Sequence, residues 1–346
     1  MIVDNISAER VLGLSDSFIE SYQDIDEVLG DKRERYFGEG YRRVNYHVNS
    51  VTKLSDDTFQ LKLGVCYPRD WSSKKHGKVS PPHLSTVDAA YLAVVLGEWF
   101  VYAAYGISKS NGDMLQLLSC EIHSGAVPDE QLDDLAVKVK EISRDKIKSI
   151  RSLCRLRSTV SIKLGRMDIV IIFAHSGKAK SEVEGSFSSA DILNMPYKYG
   201  HACNQAIKGV TNMDIGKLSI DKLNKKAQAV LKFSSDSSGY RELSLVEVVL
   251  ASAQLAQAVI YRIDNVPRSK SNTLWMRDFT IEKSQPFKVK NEQQGSIHTL
   301  SHKQVRNNSV LWSVYRFICF VGAVGTCFTF AHQLPKDELS LGHLNK

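Results

Sequence analysis

The chain has 346 residues, of which 43% are hydrophobic and 24% charged, and a mean hydropathy of −0.21. This is the composition of a globular protein and excludes a disordered segment, a collagen or a membrane bundle. Lysine and arginine number 45 against 38 aspartate and glutamate, a net +7 that favours acidic partners such as nucleic acid, nucleotide pyrophosphate or acyl carrier protein without choosing among them. The six cysteines are scattered, with no C-x-x-C pair and no zinc-type spacing. They read as reduced thiols of a cytoplasmic protein, and neither a metal nor a cofactor is expected. The first residues, MIVDNISAER, lack the basic and apolar regions of a secretory signal.

In chain order, Val44 to Lys53 and Thr58 to Tyr67 read as a hairpin turning at Ser55-Asp56-Asp57. His83 to Tyr102 (HLSTVDAAYLAVVLGEWFVY) then reads as a helix of roughly 20 residues, with Ser85 as N-cap and Asp88 in the first turn. It is apolar nearly all round and is expected to be buried on most faces. Strands follow at Met114 to His123, Leu135 to Ile142, Cys154 to Leu164 and Asp168 to His175. The segment 185–208, rich in Ser, Tyr, Asn and Gly, reads as a crossover.

The same order then returns. Met213 to Ile220 pairs with Ala227 to Ser234 around Asp221-Lys222, and Glu242 to Tyr261 (ELSLVEVVLASAQLAQAVIY) reads as a second buried helix, capped by Ser244 with Glu247 in its first turn. Strands are expected at Thr273 to Lys283, Phe287 to Lys290, His298 to Leu300, Val310 to Phe320 and Val324 to His332. The helices align at an offset of 244 − 85 = 159, and Phe173-Ala174-His175 matches Phe330-Ala331-His332 at 332 − 175 = 157. Two matches at nearly one offset mark an internal duplication. The apolar run Leu311 to Ala331 is about long enough to span a bilayer, yet Arg316, its glycines and its β-branched and aromatic residues fit two buried strands better.

The expected fold is therefore α+β: a double hotdog, two tandem repeats each with a curled antiparallel sheet wrapped around one long buried helix. The boundaries are 1–184 for the first repeat with an N-terminal extension, 185–208 for the linker and 209–346 for the second repeat.

In a hotdog pair the helix N-termini lie near the interface, where free N–H groups can polarise a thioester carbonyl. Candidate catalysts are His83, held by the preceding proline and able to act as general base or acid, with Asp88 and Glu247. The plainer alternative is that His83 packs against its loop and Asp88 complements the helix dipole. Glu242 stands where His83 would be in the second half, so the two sites are not equivalent. Candidate substrate-binding residues are Tyr67, Asp70 and Trp71 before the first helix, Ser85 and Ser244 at the caps, and Arg268, Asn272 and Trp275 in a donor-rich loop after the second helix, suited to a sugar or phosphate. Glu98 is a carboxylate inside an apolar helix, and His175 and His332 read as polar strand ends. The basic and aromatic run Arg33 to Arg43 is short and holds two Glu, so nucleic-acid binding is not expected.

Several blocks resemble one family. Arg35-Tyr36-Phe37-Gly38 with Gly40-Tyr41, Tyr67-Pro68 with Asp70-Trp71-Ser72, PHLSTVD ending at Asp88, and Asp264-Asn265 with Arg268-Ser269 and SNTLWMR ending at Arg277 resemble the avirulence protein D (AvrD) family of plant-associated bacteria. The resemblance implies enzymes that make syringolide-type acyl-sugar signals by joining a β-ketoacyl chain, carried as a thioester of acyl carrier protein or CoA, to a ketose such as xylulose. The chain is also similar, more distantly, to A-factor synthases, hotdog proteins that transfer β-ketoacyl groups to a three-carbon sugar phosphate. An acyl-thioester hydrolase or dehydratase, and a non-enzymatic acyl-binding protein, are the alternatives; no nucleic acid or membrane partner is implied, and a homodimer is compatible with the sequence.

Overall fold

The computed structural model describes residues 18–71, 81–105, 107, 115–147, 154–176, 212–234, 241–271, 274–282 and 288–335. The chain order is β1 (Ile19–Asp24), α1 (Asp26–Leu29), β2 (Asn45–Ser55), β3 (Thr58–Cys66), α2 (Thr86–Tyr105), β4 (Leu115–His123), β5 (Leu135–Lys146), β6 (Leu156–Leu164) and β7 (Met167–His175). It continues with β8 (Met213–Asp221), β9 (Lys226–Phe233), β10 (Arg241–Glu242), α3 (Leu245–Ile263), β11 (Leu274–Glu282), β12 (Lys288–Val289), β13 (Glu292–Asn307), β14 (Val310–Val321) and β15 (Val324–Gln333).

Among the described residues thirteen strands form one antiparallel sheet in the order β1-β8-β9-β13-β14-β15-β11-β4-β7-β6-β5-β3-β2. Outward from the β11–β4 junction, the two halves run β11-β15-β14-β13-β9-β8 and β4-β7-β6-β5-β3-β2, and these correspond strand for strand. The junction is continuous, with Phe279 paired to Ile122 and Ile281 to Cys120.

Each half packs its sheet on one long helix. Both helices are long and apolar enough to cross a membrane, but 89% and 83% of their apolar windows lie inside the protein. They are core helices, and α2 and α3 also touch each other. Ser244 accepts a hydrogen bond from the Glu247 N–H while Glu247 accepts from the Ser244 N–H, a capping box. Ser85 and Asp88 make the same reciprocal pair, each bond 3.1 Å. The apolar stretch from Leu311 to Ala331 forms the hairpin of β14 and β15, with Phe317, Cys319 and Phe328 fully buried.

Three features depart from the sequence expectation. β1 adds to the outer edge of β8, although IESYQD has no apolar alternation; it is pinned by Glu20, which pairs with Arg262 of α3 at 2.6 Å and with Lys222 at 2.8 Å. The Arg262 hydrogen bonds hold the Glu20 carboxyl down at about 2. β13 is a single strand of 16 residues, because its polar side chains face solvent while its backbone pairs with β14 along its length and with β9 over Glu292 to His298. β12 leaves the main sheet and, among the described residues, pairs with β10 alone. The expected linker 185–208 lies outside the described residues.

His175, at the inner end of β7, is fully buried, and burial followed by the charge of Arg144 pushes it down to about 4. Between pH 6.5 and 4 the unfolded chain therefore takes up a proton that the native state refuses. Stability is full above 6.5 and is lost as pH falls through this window, by roughly 3 kcal/mol. Urea unfolding of His175→Gln at a series of pH values is expected to give a flatter curve between 6.5 and 4 than the parent. Equal slopes would show that His175 does not titrate there.

Candidate active site at the junction of the two halves

The N-terminal turn of α2 is anchored from beneath by one carboxyl group. Asp88 is fully buried, and five donors converge on it. The Tyr36 hydroxyl lies 2.7 Å from both oxygens. Tyr46 donates at 2.5 Å, Tyr67 donates to the second oxygen, and Ser85 donates through its hydroxyl at 2.6 Å and its N–H at 3.1 Å. Burial first, and the charge of Asp88 second, push all three phenols well above their ordinary value, so they remain donors. Trp71 closes this cluster, its ring 5.3 Å from Tyr36 and 5.2 Å from Tyr67.

His83 stands two residues before the cap, its ring edge-on to Trp71 at 5.1 Å and 88°. Its Nδ1 is 3.2 Å from the Pro81 carbonyl. A carbonyl only accepts, so Nδ1 carries the proton and Nε2 keeps its lone pair. The capping box uses the N–H groups of Ser85 and Asp88; those of Thr86 and Val87, in the first turn, have no acceptor within the helix.

His83, Ser85 and Thr86 form one wall of a cleft whose other wall comes from the second half, Leu274, Trp275, Met276, Arg277 and Phe330, with the Ser124 to Asp129 loop as its rim. The walls are tied together: Ser124 donates to the Met276 carbonyl at 2.8 Å and Arg277 to the Gly125 carbonyl at 2.8 Å. The Arg277 guanidinium also lies over Trp275, 5.7 Å from the ring centre. The cleft thus combines a ring nitrogen able to accept a proton, helix N–H groups able to hold a developing oxyanion, an aromatic platform and a cation.

Of the residues singled out in the sequence, His83, Ser85 and Trp275 share this cleft, and Asp88, Tyr67 and Trp71 form the support directly behind it. The others lie elsewhere. Glu247 and Ser244 cap α3, with Glu247 close enough to Tyr41 to act on its phenol. Asp70 is exposed and paired with Arg43 at 2.7 Å. Arg268 is part-buried and reaches the Glu34 carbonyl at 3.2 Å, while Asn272 lies outside the described residues. Glu98 is wholly buried.

Tyr36, Phe37, Tyr46 and Arg277 were not among the candidate site residues, although all but Tyr46 stand in the blocks that carry the family resemblance. The run Arg33 to Arg43 is the bridge between the two helices: Tyr36 reaches Asp88 of α2, and Arg35, only 3% exposed, donates to Gln254 of α3 at 2.7 Å. The signal was present in its aromatic and glycine content. Gly40, for instance, leaves no room for a Cβ, which would sit 2.9 Å from the Trp71 carbonyl.

The fold and cleft define a class: two helix-on-sheet halves in one chain, with a polar site where the first helix begins and the second half leans over it. The sequence profile of the Pseudomonas avirulence D protein (AvrD) family matches residues 20–335, and the chain belongs to that family. A comparison with curated proteins gives no significant match. Among solved structures, the chain is similar to a tesB protein of Mycobacterium avium subs paratuberculosis, with 9% identity, TM-score 0.41, and 83% of this chain and 96% of that one covered. It is also similar to an acyl-ACP thioesterase of Bacteroides thetaiotaomicron, at 9% identity and TM-score 0.37 over 85% of this chain and 99% of that one. A third is the dehydratase domain of RzxB from Pseudomonas fluorescens, at 12% identity and TM-score 0.32 over 83% and 98%.

Proposed function

We propose that the protein is a double-hotdog enzyme that transfers a β-ketoacyl chain from a thioester of acyl carrier protein or CoA to a small sugar such as xylulose, giving a syringolide-like acyl sugar. The observation that carries this reading is the junction cleft, where the Nε2 lone pair of His83 and the first-turn N–H groups of α2 face Trp275 and Arg277 of the other half. The thioester carbonyl lies against the helix N-terminus, which stabilises the oxyanion formed on attack. His83 takes the proton from the attacking sugar hydroxyl. Asp88 does not meet the substrate; it fixes the turn that presents the N–H groups. Arg277 and the net charge of +7 suit the phosphates of the carrier. Family membership supports the same reading, through the acyl-sugar chemistry that the family resemblance implies.

The test is mass spectrometry of reactions holding the protein, a β-ketoacyl thioester and xylulose. Acyl-sugar product that requires the added sugar is the expected result. Thioester loss without sugar, giving free β-keto acid or its methyl ketone, indicates a hydrolase, and tight thioester binding without turnover indicates a binding protein.

A further inference from the structure

The second half holds a polar chain that the cleft chemistry does not use. The Ser271 hydroxyl is 2.9 Å from His332 Nε2, and His332 Nδ1 is 2.6 Å from Asp264 Oδ2. Asp264 is the C-cap of α3, Ser271 lies in the turn after it, and His332 ends β15. A carboxylate only accepts, so His332 Nδ1 carries a proton, and in the neutral ring Nε2 then offers its lone pair to the Ser271 O–H. Asp264 is itself fixed by the hydroxyls of Ser313 at 2.9 Å and Tyr315 at 2.5 Å on its other oxygen. All three members of the chain are buried: Ser271 is 4% exposed, His332 fully enclosed, and the Asp264 side chain 4% exposed.

The first half contains the same histidine without the same chain. His175 meets Ser158 at 3.0 Å through Nε2, but its Nδ1 has no partner among the described residues. At the helix offset of 159, the residue matching Asp264 is Tyr105 (264 − 159 = 105), whose ring centre lies 4.4 Å from that of His175. The first-half cluster has an acid too, Glu141, but it accepts from Ser158 at 2.8 Å; only in the second half does a carboxylate meet the histidine Nδ1.

We propose that Ser271, His332 and Asp264 form a nucleophilic relay that holds the acyl chain as a serine ester between thioester and acceptor, an inference that rests on the acyl-thioester reading. The relay borders the cleft: Leu274, which lines it, is the strand partner of His332, and Phe330, which also lines it, is two residues from His332 on the same inward face of β15. Ser271 is three residues before Leu274, at most about 11 Å along the chain. Beside the nucleophile, Tyr261 is hydrogen-bonded to Ser271 and lies within the field of Arg268 and Arg35.

In the first step Ser271 Oγ attacks the thioester carbonyl, its proton passes to His332 Nε2, the C–O bond forms and the C–S bond breaks with departure of the thiolate. In the second the sugar hydroxyl attacks the serine ester, losing its proton to His83, while Ser271 Oγ leaves and takes back the proton from His332. The proton on His83 returns through solvent to the thiolate, and both histidines are neutral again.

The test mixes the whole protein with the N-acetylcysteamine thioester of β-ketooctanoic acid, quenches in acid without sugar, and measures the intact and peptide masses. The expected result is a gain of one acyl group on the peptide containing Ser271. It should be absent from Ser271→Ala, restored in Ser271→Cys, and formed on the order of 10⁴-fold more slowly in Asp264→Asn, whose amide no longer fixes the histidine tautomer. Melting curves of the variants confirm that each is folded. The relay is overturned if no adduct forms and Ser271→Ala consumes thioester at the parent rate, an outcome that leaves the acyl-transfer reading standing. If the parent consumes no thioester with or without sugar, both readings fall.

Discussion

Replacing His83 with alanine is expected to lower formation of the acyl sugar by about 10²- to 10⁴-fold, the usual contribution of a positioned general base, and to leave stability nearly unchanged. The second half of this expectation follows from the surroundings of the ring. His83 is part-exposed, its Nδ1 hydrogen bond runs to the Pro81 carbonyl two residues away, and its contact with Trp71 is an edge contact of a kind worth about 1 kcal/mol. Chemistry and folding therefore separate at this position, which makes it the sharper test of the cleft. The measurement is the rate of acyl-sugar formation beside the urea midpoint of the same preparation. A variant with full activity removes His83 from the mechanism, and one with a collapsed midpoint shows that its role is packing.

Asp88 behaves in the opposite way. Asp88→Ala removes the acceptor of three phenols, one serine hydroxyl and one N–H at once, all in a buried site. Unsatisfied buried donors cost about 1–3 kcal/mol each where they find no water, and breaking one buried charged network costs about 3–5 kcal/mol. The expected loss is at least 3 kcal/mol, a large share of the ~5–15 kcal/mol that holds a typical protein folded. Tyr46→Phe removes a single donor and is expected to cost roughly 1.5–3 kcal/mol, as for a hydrogen bond to a charged group. Urea unfolding of both variants checks the ordering: if Tyr46→Phe is as damaging as Asp88→Ala, the cluster is not organised around the carboxyl group. Activity should fall with Asp88→Ala as well, because the first turn of α2 would no longer be held against the cleft.

These two residues, five positions apart, show what could be read from the chain before folding. Ser85 and Asp88 announce a capped helix by type and spacing, and the apolar run behind them announces burial on all sides. The correspondence of the two helices was legible because both carry the same cap, Ser85 with Asp88 and Ser244 with Glu247. The β14–β15 hairpin was legible because a run rich in β-branched and aromatic residues was broken by Gly322, which adopts a positive φ of 59° at the turn. β1 and most of β13 were not, since their strand state comes from backbone pairing with neighbours and not from any alternation of their own side chains.

The sequence by itself determined the local framework: two capped, buried helices, the strands with a core-facing apolar pattern, and the two stretches, around His83 and around Trp275, that supply the cleft walls. Which side chains meet was decided only by tertiary structure. Tyr36 and Tyr46 stand 52 and 42 residues from Asp88, and His332 stands 61 residues from Ser271 and 68 from Asp264. Nothing local distinguishes those residues from ordinary buried tyrosines and a strand-end histidine. Their convergence depends on strand register and on the packing of α2 and α3, and a shift of one residue in β2 or β15 would turn Tyr46 or His332 to the opposite face.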